Sequence, residues 1–189
     1  MMRRLSVVTL SIALLSCGAA DDELDDARYG SIREPLLKPT DVGAKRAIVG
    51  TTYNLYFMSE SDHSLDWVQS SVRNTAPVDA AFIHRNFNRV TNGDGMADKP
   101  LSTLKSETVA FSTFAAKYAP VPGEDPDNFD YHQKMTAMLD AVRKHLKNPI
   151  VIRFGRKVGS NLTGAISVYI VGTLPSGKVG GLFTVSVET

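Results

Sequence analysis

After Pro149 the chain offers three strand-length runs, PIVIRFG, GAISVYIVG and VGGLFTVSVET, with TLPSGK between the last two as a hairpin turn. A side-chain period of two puts Ile166, Val168 and Ile170 on one face of the middle run, and Ala165, Ser167, Tyr169 and Val171 on the other. Both faces are apolar, so a sheet built around this strand has to be covered on both sides. The clearest source of cover is FDYHQKMTAMLDAVRKHLKNP, where Met135, Met138, Leu139, Val142 and Leu146 recur at helical spacing with charges opposite. A stripe of this kind fills a core, and Asn148-Pro149 is expected to end the helix. The expected class is α+β, with helices against more than one side of an antiparallel sheet.

Upstream, TDVGAKRAIV reads as a helix capped by Thr40 or Asp41, and YNLYF as strand-like. SLDWVQSS and VDAAFIHRNF are short elements of mixed period, TNGDGMADKP is a turn-rich loop, and ETVAFSTFAAKYA reads as strand then helix with no visible point of change.

The first residues, MMRRLSVVTLSIALLSCGAADDE, stand apart. Arg3 and Arg4 precede an apolar run, Leu5 to Leu15, that is shorter than the roughly 20 residues of a spanning helix. That pattern is a signal peptide. Leu14-Leu15-Ser16-Cys17 resembles a bacterial lipobox, in which cleavage before the Cys leaves a lipidated residue; ordinary secretory cleavage near Ala19-Ala20 is the other reading. The expected organisation is a lipoprotein signal peptide over 1–16, an acidic tether over 17–39 and one domain over 40–189. The expected location is outside the cytoplasm, anchored by a lipid on Cys17 to the bacterial envelope at the outer membrane or its periplasmic face. Cys17 is the only cysteine, so the domain has no disulfide and must be held by its core.

Without Arg3 and Arg4 the 21 basic residues fall to 19, against 20 acidic. No basic excess supports direct nucleic-acid binding, which rests on clustered phosphate contacts. Catalytic signatures fail one by one. His63, His84, His132 and His145 have no metal-ligand spacing; TNGDGMADK would need ligands where Val90 and Leu101 stand; and Ser160 lacks the Gly-x-Ser-x-Gly setting. The chain is expected not to be an enzyme and to need no cofactor.

Two blocks carry a wider pattern. LYFMSESDHSLDWV, and HLKNPIVIRFGRKVG through VYIVGTLPSGKVGGLFTVSVET, with APVDAAF and FSTFAAKYAP in order between them, resemble the nuclease A inhibitor family of small bacterial proteins, from about Thr40 to Thr189. The resemblance implies an α/β/α sandwich with a mostly antiparallel sheet, of the pathogenesis-related-1-like kind. It implies a protein partner, a magnesium-dependent sugar-nonspecific nuclease, whose active site is entered by the Glu of the FMSES block and the C-terminal Thr, here Glu60 and Thr189. On that reading Glu60 stands in for the scissile phosphate. Thr189 offers its terminal carboxylate and hydroxyl to the Mg²⁺ of the bound nuclease, the only metal contact expected. Ser59 and Ser61 either orient Glu60 or simply make the turn, Asp62 adds acidity to the partner-binding surface, and Glu188 is expected to be a solvated neighbour. Where the family pattern has a Trp before the long helix, this chain reads APVPGEDPDNFD, with Phe129 the nearby aromatic. The alternative function is a lipid-anchored surface binding domain on the same scaffold with a different partner.

Overall fold

The apolar alternation after Pro149 becomes three long antiparallel strands at the centre of the structure, a computed structural model that describes residues 39–57, 63–87 and 104–188. In chain order its elements are α1 (Asp41–Gly50), β1 (Tyr56–Phe57), β2 (His63–Ser64), β3 (Asp66–Arg73), α2 (Ala80–Phe87), β4 (Lys105–Ala110), α3 (Phe111–Ala116), α4 (Pro126–His145), β5 (Lys147–Val158), β6 (Asn161–Thr173) and β7 (Lys178–Glu188). One sheet has the order β3-β7-β6-β5-β4, antiparallel throughout, and β1 pairs separately with β2. TLPSGK closes the β6–β7 hairpin: Gly177 N–H donates to the Leu174 carbonyl at 2.8 Å, and Gly177 adopts φ 85°, a region glycine enters without steric cost.

The two faces of β6 divide as the alternation requires. Ile166, Val168 and Ile170 join Val151 and Leu182 in a cluster sealed by Ala44 and Ile48 of α1, Phe111 and Phe114 of α3, and Met135, Met138, Leu139 and Val142 of α4. On the opposite face Tyr169 and Val171 meet Ile152, Phe154, Val179 and Phe183 under Phe82, Ile83 and Phe87 of α2. Helices therefore cover both sides of a wholly antiparallel sheet, and the class is α+β.

Local boundaries depart from the sequence reading in three places. Helix α4 starts from Asp125, whose side chain accepts from Asp127 N–H, with Pro126 in the first turn where its missing N–H costs nothing. It ends at His145, ahead of Asn148-Pro149, because Leu146 is already extended and buried and β5 begins at Lys147. Asn148 and Pro149 lie instead in an irregularity of the β5–β6 ladder, where the register shifts between Lys147 and Ile150. Finally, of YNLYF only Tyr56 and Phe57 are strand; ETVAFSTFAAKYA is strand then helix as expected, with β4 passing directly into α3 at Ala110/Phe111.

Thr40, not Asp41, caps α1: its hydroxyl accepts from Gly43 N–H at 3.0 Å. Asp41 is released for a longer connection. Its carboxylate accepts from Ser176 N–H at 3.0 Å, from the Ser176 hydroxyl at 2.6 Å and from Gln69 Nε2 at 3.2 Å, tying α1 to the β6–β7 turn and to β3. Asp41→Ala is expected to cost about 1–2 kcal/mol in urea unfolding, since charge-assisted bonds are lost at a partly buried turn. An unchanged midpoint would mean that the turn holds without the helix.

Candidate functional site

On the face covered by α1, α3 and α4, β7 presents Leu182, Thr184, Ser186 and Glu188 in alternation, turning from apolar to polar as the strand leaves the core. The β1–β2 pair lies over this stretch. Thr184 Oγ1 donates to the His63 carbonyl at 3.4 Å, and the buried Phe57 ring stacks on Phe114 with centroids 6.3 Å apart and meets Tyr118 edge-on at 6.1 Å. Hairpin and α3 do not close completely over the sheet. Between them is a cleft of about 240 Å³, with Phe57, Phe114, Lys117 and Tyr118 along its walls and Val109, Arg153, Val168, Ser186 and Glu188 across its floor.

Arg153 dominates the floor. It stands on β5 opposite Glu107 of β4, with Nη1 donating to Glu107 Oε2 at 2.8 Å, while Nη2 donates to Glu188 Oε1. The Ser186 hydroxyl donates to the same Glu188 oxygen at 3.2 Å. The Arg153 side chain is only 15% exposed, whereas those of Glu107 and Glu188 are 49% and 44% exposed. A largely buried cation is thus matched by carboxylates on two other strands, as a charge beside an apolar core requires. Burial pushes the Tyr118 hydroxyl above its ordinary range, with Tyr131 the next cause, so the wall beside this pair is a neutral phenol.

The loop before α4 is pinned to the same side of the fold. Glu124 Oε1 accepts from Val121 N–H at 3.1 Å, and its carboxylate receives His132 Nδ1 at 2.9 Å; because a carboxylate only accepts, the ring nitrogen is the donor. His132 also packs edge-on to Tyr118, with centroids 6.4 Å apart.

Of the residues the sequence singles out, Ser59, Glu60, Ser61, Asp62, Thr189 and Cys17 lie outside the described residues. Their described neighbours converge: Phe57, just before 58–62, and Glu188, just before 189, line one cleft. Glu188, expected to be a solvated neighbour, is partly exposed and also pairs with Arg153 and Ser186. Arg153 itself escapes motif reading. Its signal is a cation at an inward position of PIVIRFG, in phase with Val151, which demands a carboxylate from elsewhere in the chain. Among the described residues no group of three or more His, Cys, Asp or Glu side chains is placed to hold a metal ion.

No curated protein matches the chain. The family model described as nuclease A inhibitor-like protein matches residues 45–189, which takes in every described element from within α1 to the end of β7. With its sheet, its cleft and most of its length inside that match, the chain belongs to the nuclease A inhibitor-like family.

Proposed function

We propose that the protein inhibits a magnesium-dependent, sugar-nonspecific endonuclease by filling its active site with Glu60 and Thr189. The observation that carries the reading is the family match over 45–189, which contains both residues. It is supported by the meeting of Phe57 and Glu188, each next to one of the two segments, in one cleft.

The chemistry is substitution for a phosphate. A nuclease of this class keeps cationic groups and a partly hydrated metal around the scissile phosphate, and a carboxylate offers the same charge and hard oxygen donors. Glu60 takes the phosphate position, Thr189 supplies oxygens to the nuclease's Mg²⁺, and Ser59, Ser61 and Asp62 shape the surface around them. The inhibitor transforms nothing; its contribution is to carry these oxygens on a folded domain so that little entropy is lost on docking. Lipidation at Cys17 would hold the domain at the envelope, where an exported nuclease meets it.

The test is inhibition of a purified magnesium-dependent nonspecific nuclease by residues 18–189, beside the same protein lacking Thr189. Inhibition is expected, weakened at least about tenfold by the deletion if an interaction worth about 1.4 kcal/mol or more is lost. Absence of inhibition by the folded protein would replace this reading with that of a surface domain binding another partner.

A further inference from the structure

A second cavity, of about 600 Å³, opens between the 74–78 segment, which joins β3 to α2, and the start of β5. That volume lies in the range of small-molecule sites. Val78 and Ile150 line it while packing against the cluster under α2, whereas the floor of the cleft, at Val168, belongs to the opposite face of the sheet. Thr75, Lys147, Asn148 and Thr173 supply its polar groups, and no Asp or Glu is among the residues that line it. Among the described residues none of these four side chains has a hydrogen bond or ion pair within the protein. We propose that this cavity binds a small carboxylate with a compact apolar body, the head held by Lys147 and the body by Val78, Pro149 and Ile150. The site stands independently of the inhibitor reading.

Both walls are fixed before any ligand arrives. Asn74 N–H donates to the Gly177 carbonyl at 2.9 Å and its side-chain amide donates to the Ala76 carbonyl at 2.7 Å, so one wall is tied to the β6–β7 turn. Opposite it, β5 runs from Lys147 to Ile150 while β6 runs only from Thr173 to Val171, which leaves one residue extra on β5. Asn148 absorbs it with φ 50°, a conformation that Asn tolerates better than most residues. A bulge of this kind bends its strand and re-aims the side chains beside it, here those of the cavity wall. Gly172 keeps the bulge close to β6, since a Cβ there would stand 3.0 Å from the Lys147 carbonyl oxygen and 3.2 Å from Pro149 Cα. The lining then selects the occupant. Val78, Pro149 and Ile150 are half-buried and lose further contact with water under an apolar body. A cation without a carboxylate beside it favours an anion, and a carboxylate accepts from the ammonium and from the neighbouring hydroxyl and amide groups together.

The test titrates the full chain with hydrocinnamate and, separately, with its uncharged amide, following backbone amide chemical shifts by nuclear magnetic resonance at low salt. Saturable shifts are expected at Thr75, Ala76, Val78, Lys147, Asn148 and Ile150, with a Kd for the acid of about 1 mM or tighter. The amide should bind about fivefold more weakly. Lys147→Gln should weaken the acid about fivefold and leave the amide within about twofold, because only the acid uses the charge. Val78→Ser, which removes apolar surface, should weaken both probes by about fivefold or more. Melting temperature checks that each variant is folded; should Val78→Ser fail to fold, the contrast between acid and amide in Lys147→Gln still decides. Absence of saturable shifts at these amides up to about 10 mM overturns the site, since binding that weak would be no specific recognition. Shifts confined to the cleft at Phe57 and Glu188 overturn it as well. Equal binding of acid and amide, or acid binding unchanged by Lys147→Gln, overturns the assignment of the carboxylate to Lys147.

Discussion

Gly181→Ala is expected to destabilise the domain by more than about 4 kcal/mol, a large part of the roughly 5–15 kcal/mol that holds a typical domain together. A Cβ at this position would stand 2.1 Å from the Ile170 carbonyl oxygen, 2.8 Å from Val171 Cα and 3.0 Å from Ile170 C. All three are backbone atoms of β6, so no side chain can swing aside. The position also has φ 155°, which L residues rarely adopt. Gly181 pairs with Val171 on one side and Val68 on the other, so any shift that relieves the clash displaces β7 against both neighbours. Gly50, at the last position of α1 with open space around it, is the control: Gly50→Ala is expected to be neutral or to stabilise by up to about 1 kcal/mol. Thermal melts followed by circular dichroism separate the two. A Gly181→Ala protein melting within a few degrees of the parent would show that the β6–β7 ladder is far more compliant than its geometry implies.

The second large effect belongs to the inhibitor reading. Glu60→Ala is expected to weaken binding to a magnesium-dependent nonspecific nuclease by about 2–5 kcal/mol, as for truncating one partner of a buried charge pair. In Ki that is a rise from about thirtyfold to a few thousandfold. Glu60→Gln keeps the shape and removes the charge, so a loss close to that of the Ala variant assigns the effect to the carboxylate. Calorimetric melting of both variants should match the parent. A Ki within threefold of the parent for Glu60→Ala would sink the mimicry mechanism and leave family and fold untouched.

What the sequence made legible follows from the range of the interactions involved. Strands β5 to β7 and helix α4 are written in short-period patterns and closed by local turns. Their faces could be assigned residue by residue, down to Ile166 against Tyr169 on opposite sides of one strand. The passage from β4 to α3 was not legible, because ETVAFSTFAAKY suits either state and packing makes the choice: Phe111 and Phe114 are buried in the helix-covered core. Asp41 was recognised as a helix-start residue but not as the partner of Ser176, a contact spanning 135 positions that only the assembled sheet creates. Arg153 and Glu188 are hidden for the same reason. Arg153 faces Val168 and Val168 faces Thr184, so the match with Glu188 depends on a side chain reaching along the sheet past its own register neighbours. For Glu60 and Thr189 the sequence offers an expected role through family likeness, and both lie outside the described residues, of which Phe57 and Glu188 line one cleft.

The strand order has a consequence for biosynthesis. β7, the last strand among the described residues, inserts between β3 and β6, so the pairing of Asp66 and Trp67 with Phe183 and Leu182 forms only after residue 183 has been made. A nascent chain short of Lys178 lacks the described ladder partner of β3 and one of the two described partners of β6, and bare strand edges of this kind favour aggregation. The described sheet therefore cannot close between β3 and β6 until β7 has been made. A chain cut before β7 lacks the strand that joins β3 to β6 and that presents Glu188.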